Sequence, residues 1–185
     1  MSVLYIKKHK ILFIHIPKNG GRYFKKEISN YFKANQLTYF NAPTHSTLRE
    51  LSLLDNFNLL SSEKNLKIVC IARNSWDRVF SRFFYQRTEI FKRLKKRLLL
   101  QKTKNTTSFY KDMKILFLQY RGFLKWFYSE KSPSYPDGSY FLSRNQIDYV
   151  SGYENHDIRF IDFHNFKKSI NELLPELSFI NWKFN

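Results

Sequence analysis

The residues best able to do chemistry fall in two short stretches, "HIPKNGGRY" (15–23) and "RNSWDRVFS" (73–81). In the first, Lys18 stands just before Gly20 and Gly21, two of only five glycines in the chain. Glycines let backbone N–H groups approach an anion closely, a helix that follows adds the positive end of its dipole, and Lys18 adds a full charge. In the second, a guanidinium (Arg73) and a hydroxyl (Ser81) could converge on a terminal phosphate. Asp77 and Arg78 fall between them, in the first turn of a helix, where Asp77 favours the dipole. Taken singly, each stretch also reads as a plain strand-to-helix corner, with Arg73 on the surface and Ser81 filling a helix.

The first stretch is not a nucleoside-triphosphate loop. That motif is G-x-x-x-x-G-K-[ST], with the Ser or Thr hydroxyl on Mg²⁺. Here Lys18 precedes the glycines and Asn19 follows it. The loop suits a phosphate-like group held without an essential metal.

Both stretches need strands to position them. "KILFIHI" (10–16) and "LKIVCIA" (66–72) are continuous apolar runs, as expected of strands buried on both faces of a parallel sheet. After the first, Phe24, Ile28, Tyr31 and Phe32 recur at helical spacing. A short strand and loop are expected over 36–45, and a helix over 46–54 capped by Ser46. After the second run, Val79, Phe80, Phe83, Phe84, Ile90, Phe91, Leu94 and Leu98 trace a long helix. Another helix is expected over about 109–128, a loop over 130–140, a strand at "DIRFIDF" (157–163) and a helix at 165–174. Alternating strands and helices predict an α/β layered fold with a parallel sheet. Ligands of such sheets sit at the carboxyl ends of the strands.

The totals fit one domain over residues 1–185. Thirty-two lysines and arginines against 15 acids give a formal charge of +17, which attracts polyanions: nucleic acid, acidic lipid, acidic glycan or a nucleotide. A single cysteine, Cys70, excludes an intramolecular disulfide and reads as a small core residue. No apolar run approaches the roughly 18 residues of a membrane span, and "MSVLYIKKHK" lacks the layout of a signal peptide. A soluble, cytoplasmic protein is expected. The basic run "KRLKKRLLLQKTK" (92–104) reads as a solvated helix face, as a channel wall for an acidic glycan, or as a membrane-surface attachment.

Together, "HIPKNGG" and "RNSWDRVFSRF" resemble the two donor-binding motifs of sulfotransferases that use 3′-phosphoadenosine 5′-phosphosulfate (PAPS). The likeness is to the branch that includes heparan sulfate 2-O-sulfotransferases and related bacterial carbohydrate sulfotransferases. In that family the first motif, approximately I-P-K-T-G-G-T-S, holds the 5′-phosphosulfate. The second, approximately R-D/N-P-x-D-R-x-x-S, holds the 3′-phosphate. The matching positions are Pro17, Lys18, Gly20 and Gly21, then Arg73, Asn74, Asp77, Arg78 and Ser81. Arg22 and Tyr23 stand where the family has Thr and Ser, and Ser75 where it has proline. The likeness spans about residues 10–180 and is vaguer over "SYFLSRNQIDYV" and "DIRFIDFHNFKKSI", where Asp162 takes the place of a common glutamate.

The resemblance implies a three-layer α/β/α fold with a central, mostly parallel sheet of the P-loop NTPase-like kind. It implies a PAPS donor, no metal, and transfer of a sulfuryl group to a hydroxyl of a carbohydrate or acidic glycan. Donor contacts would fall on Pro17, Lys18, Asn19, Gly20, Gly21, Arg22, Tyr23, Arg73 and Ser81, with Lys18 catalytic as well. A base must take the acceptor proton. Of the five histidines, His15 is expected to pack in a strand, His9 precedes it, and His156 and His164 flank a strand. His45, in the loop after the second strand, is the candidate base, with Glu50 and Glu27 behind it. The alternatives are a basic nucleic-acid-binding protein, in which the two corners would have no role, and a degenerate relative that binds the donor without turnover.

Overall fold

The structure, a computed structural model, describes residues 3–40, 45–54, 57–99 and 145–182, together with 110, 112–114, 116, 117, 120, 122 and 123. The predicted loop at 130–140 and much of the helix predicted over 109–128 lie outside these residues. The chain divides into two compact units: Met1–Arg73 with Arg144–Asn185, and Asn74–Ser143.

The first unit is built on a five-stranded mixed sheet. Its strands are β1 (Val3–Ile6), β2 (Ile11–Ile14), β3 (Leu37–Phe40), β4 (Lys67–Ala72) and β5 (Asp157–Asp162). Their order is β3-β1-β2-β4-β5. The apolar runs at 11–14 and 67–72 pair in parallel, with Phe13 opposite Val69, and β5 joins β4 in parallel, with Ala72 opposite Asp162. β1 departs from expectation. "VLYI" forms a hairpin with β2, closed by a 3-10 turn at Lys7–His9 and by Lys10 in the left-handed region (φ 52°). β1 also pairs antiparallel with β3, so β2 lies inside the sheet.

Side chains alternate between two buried clusters, one on each face. Leu4, Ile6, Ile11, Phe13, Val69, Ile71 and Ile161 meet one cluster. Val3, Tyr5, Leu12, Ile14, Ile68 and Cys70 meet the other. Burial on both faces is why β2 and β4 read as unbroken apolar runs. Cys70 is fully buried, and burial pushes its thiol pKa up.

Helix α1 (Gly21–Tyr31) lays Phe24 and Ile28 on the first cluster. Tyr31 turns outward, and Phe32 reaches the core from extended backbone just past the helix end. α2 (Leu48–Ser52) covers the other face through Leu48 and Leu51. Its cap is Thr47 rather than Ser46. Thr47 Oγ1 accepts from Glu50 N (3.1 Å) while Glu50 Oε2 accepts from Thr47 N (2.8 Å), a capping box that requires three-residue spacing. A short α3 (Leu59–Ser62) precedes β4.

In the second unit, α4 (Ser75–Leu99) is capped by Asn74, whose Oδ1 accepts from Trp76 N at 2.9 Å. The described residues of the 110–123 segment are helical except Gly122. Phe123 stacks on Phe80 with ring centroids 4.2 Å apart, and Arg93 holds Asp112 through two guanidinium nitrogens. These contacts set an antiparallel helical hairpin. After β5, the first unit closes with α5 (Phe166–Leu173), which buries Phe166 and Ile170 in the first cluster.

Candidate functional site

Because β2, β4 and β5 are parallel, their carboxyl ends share one edge of the sheet. Three loops leave that edge: 15–20 after β2, Arg73 after β4, and Phe163 after β5. The loop at 17–20 turns sharply. Lys18 has φ 64°, and Gly20, the residue before α1, has φ 84°. Glycine at position 20 relieves the strain that a β-carbon meets in the left-handed region.

Gly21 serves a different need. A β-carbon there would lie 2.3 Å from Cδ2 of His15. The imidazole thus lies against the first turn of α1, and only glycine leaves room for it. His15 is not within β2 but one residue past it, buried and stacked on Phe13. Its other neighbour is His45, at 5.1 Å between ring centroids in an edge-to-face arrangement. His45 is itself buried and sits at φ 68°.

Positive charge crowds this corner. Burial first, then the charges of Lys25, His45 and Arg22, hold the His15 pKa well below the usual 6.5. Lys25 is lowered too, by burial and by Arg22. Each of these neighbours acts on His15 in the same direction, as expected of a place suited to negative charge.

A network of amides pins the loop to the end of β4. Asn19 is fully buried, and its Nδ2 donates to Ile71 O at 2.6 Å and to Gln146 Oε1 at 2.5 Å. Gln146 Oε1 also accepts from Arg73 N (2.9 Å), and its Nε2 donates to Arg73 O (2.6 Å). One side-chain amide thus pairs with the backbone of Arg73 much as a neighbouring strand would. The Arg73 side chain returns across the loop. Its Nη1 donates to Lys18 O at 3.1 Å, and its guanidinium lies 4.2 Å from the centroid of the Phe163 ring.

The structure therefore brings Lys18, Asn19 and Arg73 together, and His15 with His45. Arg22 is exposed at the start of α1. Tyr23 faces Phe166 and Trp182, with centroids 6.3 and 6.4 Å away. Glu50 is engaged in the α2 cap. Ser81 belongs to α4, in the second unit, where Trp76 is exposed and Arg78 is buried. Sequence reasoning missed His15 as a partner of His45. It also missed Gln146, whose contacts lie 127 and 73 residues away along the chain. Among the described residues, no group of three or more His, Cys, Asp or Glu side chains could hold a metal ion. A groove of about 280 Å³ is lined by Ile147, Val150, Glu154, His156, Ile158 and Phe160, none of them from the loop. Its lining carries little of the chemistry that the loop edge carries.

Compared with protein families, with curated proteins and with solved structures, the chain finds no match.

Proposed function

We propose that this protein is a PAPS-dependent sulfotransferase, acting on a hydroxyl of a carbohydrate or acidic glycan. The observation that carries the reading is the crowding of cations at one sheet edge. Arg22 and Lys25 stand beside a tight glycine loop and, with burial, hold the His15 pKa down, while Arg73 from the adjacent parallel strand is tied to that loop through Lys18 O. With the reading goes the three-layer, P-loop-like form of the fold, supported by a buried cluster on each face of the sheet.

In the proposed reaction the acceptor oxygen attacks sulfur, a new S–O bond forms, and the bond from sulfur to the bridging phosphate oxygen breaks. Lys18 and the amides at 20–21 stabilise the charge that grows on that oxygen. Arg73 holds the remote phosphate, which fixes geometry at the sulfur. His45 takes the acceptor proton. The buried Asn19 amide offers no hydroxyl of the kind that holds Mg²⁺ beside phosphates, so donor binding is expected to be metal-independent.

The test is calorimetry with the spent donor, 3′-phosphoadenosine 5′-phosphate, with and without EDTA. Saturable binding that EDTA leaves unchanged is the expected result. Absence of binding overturns the reading, and binding without any turnover assigns the chain as a degenerate binder.

A further inference from the structure

Helix α4 carries a line of exposed aromatic rings. Trp76, Phe80, Phe84 and Phe91 are 56, 41, 57 and 52% exposed. At 100° per residue they fall at i, i+4, i+8 and i+15, within an arc of about 80°. Arg87 lies in the same arc, its guanidinium 5.9 Å from the centroid of Phe91, and exposed Lys95 borders it. Arg78 and Arg82 turn to the far side of the helix, Phe83 and Ile90 flank the arc, and all four are buried. Across its 25 residues α4 holds eight lysines and arginines against two acids. The partner helix of the hairpin adds Tyr110, Met113, Phe117 and Tyr120, all exposed.

Large rings in water are costly unless something covers them. An acidic glycan or a duplex phosphate backbone would be held by the cations alone and would leave the phenyl rings wet. A row of Trp and Phe along one side of a straight helix, set among Arg and Lys, matches a planar surface that is apolar beneath and negatively charged above. We propose that this face of α4 lies on an anionic lipid bilayer, with the rings in the headgroup–acyl boundary and Arg87 and Lys95 among the lipid phosphates. No helix among the described residues is long and apolar enough to cross a membrane, so the contact would be peripheral. Juxtaposed charge and rings would bind together, since neither signal alone anchors a protein firmly.

The experiment is co-sedimentation of the full chain with vesicles of mixed phosphatidylserine and phosphatidylcholine at physiological ionic strength, against vesicles of phosphatidylcholine alone. Two variants separate the signals: Phe84→Ser with Phe91→Ser, and Arg87→Glu with Lys95→Glu. All four positions are exposed, and unchanged circular-dichroism melting would show that the variants fold. Wild type should sediment with the anionic vesicles, and each double variant should bind at least about tenfold less. The proposal is overturned if wild type stays in the supernatant. It is equally overturned if the Phe variant sediments like wild type, or if that variant loses binding to heparin or duplex DNA but not to vesicles. Spent-donor calorimetry on the same variants reads the sulfotransferase proposal separately.

Discussion

The imidazole of His15 occupies the space that a β-carbon on Gly21 would need, with Cδ2 only 2.3 Å from that position. A ring from the end of β2 and the first turn of α1 are thus fitted together with no room to spare. Gly21→Ala should destabilise the fold by about 1–3 kcal/mol, the usual cost of overpacking. In a His15→Ala background the same change should cost nothing. Urea unfolding of the four proteins in this cycle measures both. An equal cost in both backgrounds would show that the ring is not the obstacle.

Acid should destabilise the protein through the same ring. His15 is held neutral in the folded chain by burial and by Lys25, His45 and Arg22, and it regains its ordinary pKa on unfolding. The unfolded chain therefore binds the extra proton. Stability from this group is complete above about pH 6.5 and falls as pH drops from there toward the lower folded value. His9, lowered mainly by burial, acts in the same direction. Unfolding free energies measured from about pH 7.5 to 5 should decline, and less steeply in His15→Gln. A His15→Gln profile that overlays wild type would exclude His15 as the source.

Arg73 should matter twice. Its guanidinium holds Lys18 O and lies over Phe163, and in the proposed reaction it also meets the donor. Arg73→Ala should weaken binding of the spent donor by about 1.5–3 kcal/mol, the range of a hydrogen bond to a charged group. Calorimetry on a variant shown to be folded gives the number. Affinity equal to wild type would remove Arg73 from the donor site.

His45→Ala should separate chemistry from binding. Loss of a general base typically slows turnover by about 10²–10⁴-fold. Spent-donor affinity should hold. Since His45 is buried against His15, its folding needs a check by thermal melting. Wild-type turnover would end its assignment as the base, and loss of fold with loss of binding would mark it as structural.

How much of this could be read from the chain depends on where each contact lies in sequence. β2 and β4 were legible because a strand buried on both faces must be apolar at every position. β1 was not, although "VLYI" is as apolar. Its turn carries no glycine or asparagine to announce a hairpin, and Lys10 takes the left-handed conformation instead. The α2 cap offered two hydroxyls, and only Thr47 has Glu50 at the right spacing. Nothing in the sequence marks Arg78 and Arg82 for burial, yet both are buried. The reason for Gly20 was visible as a sharp turn, while that for Gly21 needed the position of a ring six residues earlier. Gln146 stands in a stretch without a local pattern, and only the folded sheet brings its amide to Asn19 and Arg73.

That same amide sets an order of events during synthesis. The glycine loop and the whole of β4 are made within the first 73 residues, but the group that clasps Asn19 to Arg73 is at position 146. A growing chain still short of that point has both corners joined only by Asn19 Nδ2 to Ile71 O and by Arg73 Nη1 to Lys18 O. The loop edge is therefore completed only once Gln146 has been joined. Until then the loop is held to the end of β4 by side-chain bonds from within the first 73 residues alone.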